Sequence, residues 1–236
     1  MSRRIVSLTK VVLAWAGLTA ALIAFAPVAA RADAERTQRV TRAKEVYREL
    51  IQASDRAVPE SLLVRAKAVA VFPKVIKGAI GFGARYGKGV VSCRDAEGRW
   101  SPPAFFTLTG GSWGFQIGAE SAEVVLFFMT DRSVHSLLES KFTLGAKAGL
   151  AAGPLGRTAE MDTDLKLDAE MYSYARSKGL FAGVSLEGAR LAPDENSNRS
   201  FYGREIAPQA ILFEHGVTKL PAAAEDFLGA LPHGAR

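Results

Sequence analysis

The chain is short of the residues on which most active sites are built. Of 236 residues, one is a cysteine, Cys93, and three are histidines, His135, His215 and His233. A lone cysteine excludes an intramolecular disulfide and a cysteine-rich metal site, so packing alone must hold the core. Its simplest place is inside that core, as a small apolar residue. The histidines show no mutual spacing that suggests zinc, and no metal site is expected. Long hydrophobic runs are missing too. The longest, Val11 to Phe25, is about 15 residues, short of the ~20 that a membrane-spanning helix needs. Carboxylates are absent from one long stretch, with no acidic residue between Ser61 and Arg94.

Arg3, Arg4 and Lys10 precede the apolar run, and Ala30-Arg31-Ala32 offers an A-x-A cleavage site before Asp33. Residues 1–32 therefore read as a secretory signal peptide. Ser2-Arg3-Arg4 only partly matches a twin-arginine start, because Val6 and Ser7 do not continue it. The expected location is across the inner membrane, periplasmic or envelope-associated. The full chain has 30 basic and 24 acidic side chains, a net +6. Without the four basic residues of the leader, 26 face 24 and the net charge is +2. Global charge then gives no argument for a nucleic-acid partner, and none is expected.

Residues 33–57 are expected to hold an amphipathic helix, with Val40, Ala43, Tyr47 and Leu50 on one stripe and Val46 and Ile51 beside it. Pro59 suits the first position of a second helix. From Ala68 onward the runs A-V-A-V-F, G-V-V-S-C, A-F-F-T-L, E-V-V-L-F-F-M and A-E-M-Y-S-Y-A are rich in β-branched and aromatic residues. Such runs read as strands. The expected class is α+β: an antiparallel, glycine-rich sheet or barrel-like core over 58–205. N-terminal helices, one inserted helix at 131–140 capped by Asp131, and a C-terminal helical tail over 206–236 complete it.

Glycine-alanine before a charge recurs at Arg85, Glu120, Lys147 and Arg190. Both signs occupy comparable places, which suits structural cross-strand ion pairs. Gly183 and Gly188 punctuate the run 177–190, where sharp bends or close backbone approach are expected. Glu187 lies in that run and is expected to pair with a cation or to accept backbone N–H groups, because a buried unpaired carboxylate is costly.

Three motifs point to chemistry and fall short of it. G-G-S-W-G, 110–114, matches a nucleophile elbow at Ser112, which would make the chain a serine hydrolase, but no helical start follows. A glycine-rich hairpin turn explains the same letters, and no catalytic residue is assigned. G-F-G-A-R-Y-G-K-G, 81–89, fails the phosphate-loop spacing at Tyr86 and Gly89. D-T-D-L-K-L-D, 162–168, has Lys166 and Leu167 where a calcium loop needs an oxygen ligand and a glycine. No cofactor is expected.

One positive feature remains. Arg65, Lys67, Lys74, Lys77, Arg85, Lys88 and Arg94 fill the acid-free stretch, with Phe72, Phe82 and Tyr86 between them. Cations beside aromatic side chains suit anionic lipid headgroups. Lys67, Phe72, Lys74, Lys77, Phe82, Arg85, Tyr86 and Lys88 are the candidate lipid-binding residues. A solvated face balanced by acids from elsewhere in the fold would explain the same stretch.

An ordered series of blocks carries a family resemblance. It comprises A-K-A-V-A-V-F-P (66–73), G-F-G-A-R-Y-G-K-G-V-V (81–91), W-S-P-P-A-F (100–105) and G-F-Q-I-G-A-E (114–120). It continues with L-G-A-K-A-G-L-A-A-G-P-L-G-R (144–157), Y-S-Y-A-R-S-K-G-L-F-A-G-V-S-L-E-G-A (172–189) and N-R-S-F-Y-G (198–203). Residues 59–203 resemble the SYLF domain. The resemblance implies non-enzymatic phospholipid binding, phosphatidylinositol lipids in eukaryotic members, and actin binding in fungal ones. Bacterial members are typically exported, in keeping with residues 1–32. With a leader and no SH3 or FYVE module in this sequence, actin is not the expected partner; an anionic phospholipid or membrane surface is. The alternative is an envelope structural or protein-interaction module without a lipid ligand.

Overall fold

The computed structural model describes residues 28–53, 58–80, 82–112, 118–146, 149–156 and 169–232. The chain divides into two units, Met1–Glu35 and Arg36–Arg236. The expected leader lies mostly outside the described residues. From Val28 onward the first unit is the opening of helix α1, Val28–Ile51, which starts inside the segment read as leader.

Among the described residues nine strands make one curled sheet: β1 (Ala68–Ile80), β2 (Phe82–Cys93), β3 (Ala104–Ser112), β4 (Gly118–Phe128), β5 (Phe142–Thr143), β6 (Leu150–Ala152), β7 (Met171–Ser177), β8 (Leu180–Gly183) and β9 (Arg190–Pro193). Their order is β5-β9-β3-β2-β1-β4-β7-β6, with β8 added to β7. All pairs are antiparallel except β6 with β7. The mixed α+β class expected from the sequence is the one observed, and the sheet forms a half-barrel with open ends to its strand order.

Both faces of the sheet's middle are dry, which is why its strands read as continuous apolar runs. On the inner face, Ala70, Phe72, Phe106, Leu126 and Phe128 pack under Val134, Ile211 and Leu212. Those three come from helix α3 (Asp131–His135) and from helix α5 (Pro208–Leu212), which follows α4 (Glu195–Tyr202). On the outer face, Val69, Val71, Phe105, Val125 and Phe127 meet the Val40, Ala43, Tyr47 and Leu50 stripe of α1. Leu62 of α2 (Glu60–Arg65) and Phe227 of α6 (Ala222–Leu228) complete that layer. The stripe of α1 is fully buried. Cys93 is buried as expected, and burial pushes its thiol well above the usual range.

Helix boundaries differ from the expectation where local chemistry decides them. Pro59 caps α2 instead of opening it. Thr130, not Asp131, caps α3, its hydroxyl accepting the Ser133 N–H at 3.2 Å. Asp131 is thereby left to pair with Lys67 at 2.6 Å.

The run 177–190 is not one strand. Lys178 and Gly179 take positive φ values of 54° and 87° and turn β7 into β8. A second turn at Glu187-Gly188, where Gly188 has φ 75°, separates β8 from β9. Glu187 is therefore an exposed turn residue lying against Gly145, not a carboxylate inside an apolar strand. Among the described residues no cation pairs with it, so no buried-charge penalty needs offsetting. Gly183 behaves as expected: a Cβ there would lie 2.2 Å from the Gly153 carbonyl oxygen.

Two of the outer core's tyrosines, Tyr47 and Tyr174, are in contrasting states. Phe127 lies between Tyr47 (centroids 6.4 Å) and Tyr174 (5.7 Å). The Tyr174 hydroxyl donates to Pro154 O at 3.0 Å, whereas the Tyr47 hydroxyl is buried without a partner. A buried hydroxyl without a partner costs stability, and removing it removes the cost. Tyr47→Phe is expected to leave stability unchanged or raise it by up to about 1 kcal/mol, and Tyr174→Phe to lower it by about 1 kcal/mol. Urea-unfolding midpoints of the two variants give the comparison.

Candidate functional site

The acid-free stretch forms the β1–β2 hairpin, and strand alternation deals its cations onto two faces. Where β1 passes Phe72 and Pro73, it gains one residue on β2: Val71 pairs with Val90, but Lys74 pairs with Lys88. Proline cannot donate to a ladder and is tolerated at such a bulge. The slip puts Lys74 on the same side as Val71, the outer face. Beyond it the pairs Lys74–Lys88 and Ile76–Tyr86 share that face.

This outer quartet extends past the helices that cover the rest of the face. Ile76 and Tyr86 are 45% and 47% exposed, two of the few large apolar side chains so open. Lys74 is exposed and, among the described residues, makes no ion pair. Lys88 approaches Asp194 at 3.8 Å, and Asp194 also meets Arg39 of α1 at 3.7 Å. Like charges directly opposite each other disfavour a strand pair, so the Lys74–Lys88 rung needs a counter-charge that Asp194 supplies only on one side. Next to it lies an open groove of about 330 Å³ lined by Tyr86, Lys88, Thr107, Pro193, Asp194, Glu195 and Asn196.

The opposite flank of the patch is bounded by an ion network. Glu123 on β4 accepts from Arg42 of α1 at 2.7 Å and from Arg176 on β7, and Arg176 also contacts Glu49 of α1. These charges fasten α1 to the sheet and occupy Glu123 and Glu49 on that flank, while on the groove side Glu195 is exposed.

Several candidates fall elsewhere. Phe72 is a core residue, 0% exposed, because it alternates with Ala68 and Ala70 onto the inner face, over Gly89. Lys67 lies at the far end of β1, paired with Asp131. Lys77 and Arg85 are register partners on the inner face, with Glu120 opposite Lys77. Glu120 accepts a hydrogen bond from the Ser177 hydroxyl, and Arg190 is exposed at the start of β9. The side chain of Phe82, all of Lys147 and the 162–168 acids lie outside the described residues. Arg94 is used internally: it donates to Val64 O at 2.6 Å and Pro232 O at 3.0 Å and sits 4.5 Å over the Trp100 ring.

The Gly-Gly-Ser segment is not the expected turn. Gly110, Gly111 and Ser112 are strand residues, Ser112 pairing with Gly83, and the next described element is strand β4. His135 and His215 lie near the other end of the sheet, beyond β4 and beside Asp95. Ser112 thus stands inside a paired strand.

The sequence reading missed Ile76 and the contributions of Asp194 and Thr107. The signal for Ile76 was present in K-V-I-K facing R-Y-G-K, once the two runs are paired as a hairpin. Asn198, within N-R-S, was also missed: it is 0% exposed and clips β3 through Phe105, accepting its N–H at 2.7 Å and donating to its carbonyl at 3.3 Å.

Comparison with known proteins addresses the whole arrangement. A family model described as Ysc84, Las17-binding protein actin regulator, matches residues 109–233. The human SH3 domain-containing YSC84-like protein 1 is 39% identical over 173 residues, which is 73% of this chain and 50% of the relative. The chain belongs to the Ysc84 family. Protein YSC84 of Saccharomyces cerevisiae is 35% identical over 181 residues, 75% of this chain and 38% of its own length. LAS seventeen-binding protein 3 from the same species is 36% identical over 162 residues, 67% and 35% of the two chains. The chain thus spans about half, or less, of the length of these Ysc84 relatives. The SYLF resemblance is the same family relationship. The family-model match begins within β3, so the hairpin quartet lies outside it.

Proposed function

We propose that this Ysc84-family chain is a non-enzymatic module that docks on anionic phospholipid through the outer face of its β1–β2 hairpin, after export directed by residues 1–32. The observation that carries the reading is the 2 × 2 patch of Lys74, Lys88, Ile76 and Tyr86, uncovered by any described helix. Cations draw the patch to an anionic surface, each contributing on the order of 1 kcal/mol there. Tyrosine and isoleucine then bury apolar area at the headgroup boundary, where an amphipathic ring is well suited. The apolar stripe of α1 is already used inside the fold, so the hairpin, not that helix, presents the contact.

Sedimentation with phosphatidylglycerol or phosphatidylcholine vesicles tests this. The protein should pellet with the first at about 0.1 M salt and lose most of that binding near 1 M, where the Debye length falls from about 10 to about 3 Å. Equal binding to both lipids at high salt would overturn the electrostatic mechanism. The family description, Las17-binding protein actin regulator, favours a second reading, a protein-interaction module. In that case vesicles leave the chain in the supernatant and a single protein partner co-purifies with it.

A further inference from the structure

The turn between β7 and β8 is both strained and exposed. Ser177 and Leu180 are register partners, so Lys178 and Gly179 alone connect the two strands. Their φ values are 54° and 87°. Two positive values in a two-residue loop make a type I′ hairpin, whose first position favours asparagine, aspartate or glycine. A lysine there is uncommon and costs conformational free energy, and such outliers gather where a chain is put to use. Next to it Leu180 is 63% exposed, the most open of the large apolar side chains among the described residues. Lys178 is exposed and makes no ion pair among the described residues.

This tip is separate from the outer quartet. Phe181 belongs to the outer core, so strand alternation sets Leu180 on the inner side. Its register partner Ser177 faces the same way and donates its hydroxyl to Glu120. A flat surface laid against Lys74, Lys88, Ile76 and Tyr86 on the outer face therefore leaves Leu180 uncovered. The tip fits a different partner, one that offers a recess to a leucine and a carboxylate to a lysine.

The far flank of the same sheet presents both. An open groove of about 370 Å³ lies along α4, with Glu195, Arg199, Glu205, Ile206 and Pro208 in its lining and none of the quartet. Arg199 is spent there, paired with Glu205 at 3.2 Å and donating to Asn196 Oδ1 at 2.9 Å. Glu195 is exposed and makes no ion pair among the described residues. The groove thus holds an unspent carboxylate near the apolar Ile206 and Pro208, and the tip holds an unspent cation beside an exposed leucine. Helix α4 follows β9, and from β9 to β8 the strand order runs β9-β3-β2-β1-β4-β7-β8. Six strand spacings of ~4.8 Å separate tip from groove along the curled sheet, so the groove that a tip meets is that of a second copy.

We propose that copies of this chain associate head to tail, the Lys178–Leu180 turn of one entering the α4 groove of the next. Lys178 pairs with Glu195 of the second copy, and Leu180 packs against Ile206 and Pro208. The contact is heterologous: each addition leaves a free tip at one end and a free groove at the other, and further copies can follow. One hairpin tip buries less than the roughly 1,200 Å² of a stable specific interface, so the association is weak and depends on concentration. It does not rest on the lipid-binding reading and leaves the outer quartet open.

Sedimentation equilibrium of the full chain, in lipid-free buffer, tests the contact. The weight-average mass of the wild type should rise between about 10 μM and about 1 mM, the range of weak contacts. Lys178→Glu and Glu195→Lys should each remain monomeric, because tip and groove then carry the same sign of charge. Mixed together, the two variants should associate again, since each tip finds a groove of opposite charge on the other variant. Only a tip-to-groove contact between different surfaces predicts that rescue. Lys178→Asn suits the positive φ, so it should melt at a higher temperature than the wild type and yet fail to associate; it carries the test if a charge-reversed variant does not fold. A wild type that stays monomeric throughout the range overturns the proposal. So do variants that associate as the wild type does, and so does a mixture that stays monomeric, which would leave the tip to a partner other than a second copy.

Discussion

Gly89→Ala is expected to destabilise the fold by about 3 kcal/mol, the upper end of overpacking costs, because the obstacle is backbone and not a flexible side chain. A Cβ at 89 would stand 2.3 Å from the Val71 carbonyl oxygen and 2.5 Å from Cδ1 of Phe72. The Phe72 ring occupies the place where a side chain at 89 would point, since Phe72 follows the Val71–Val90 pair onto the inner face, and the bulge begins there. Relief would require the bulge to move, and with it the register that sets Lys74 opposite Lys88. Gly78→Ala is the control. Nothing lies within 4 Å of a Cβ at 78, and exchanging glycine for alanine in a strand should stabilise by roughly 0.5 kcal/mol through the unfolded chain. Urea midpoints of the two variants should move in opposite directions. A Gly89→Ala protein as stable as wild type would mean that the bulge is not a fixed feature.

That contrast also shows what was readable in the amino-acid order. Apolar runs bounded by glycine and proline located β1, β2, β3, β4 and β7, since both faces of the sheet's middle are dry and each strand is apolar where it crosses it. The i, i+3, i+4, i+7 stripe from Val40 to Leu50 located α1 and its buried side. The reason for the glycines was also legible at Gly183, whose backbone abuts Gly153. Face assignment was not. A one-residue slip moves every side chain to the other face, and the slip at Phe72-Pro73 cannot be seen without knowing the partner strand. Phe72 read as a surface aromatic and is core, while Ile76, not singled out, is surface. Glu187 was misread for a related reason: Val184, Ser185, Leu186 and Glu187 alternate like a strand, yet Gly188 in the left-handed region ends it. Asp194 and Glu123, which neutralise the patch's surroundings, come from more than 30 residues away along the chain, a distance at which pattern carries no information.

Lys74→Glu combined with Lys88→Gln is expected to weaken binding to phosphatidylglycerol vesicles by roughly 100-fold. Three units of charge are lost at the surface, each worth on the order of 1 kcal/mol near an anionic membrane, and every 1.4 kcal/mol is tenfold in affinity. Folding should be little affected. Lys74 is exposed without an ion pair among the described residues, and Lys88 has only a 3.8 Å contact with Asp194; contacts of that kind contribute little in water. Lys67→Gln removes a charge from the same acid-free stretch but from the far end of β1, where Asp131 already neutralises it, and should leave vesicle binding intact. Ile76→Ser with Tyr86→Ser should weaken binding in a way that salt does not mask, since the loss is apolar area and not charge. Vesicle sedimentation of the three variants across salt concentrations separates these contributions. Equal losses from Lys67→Gln and from the Lys74/Lys88 pair would show that overall charge, not the outer face of the hairpin, governs attachment.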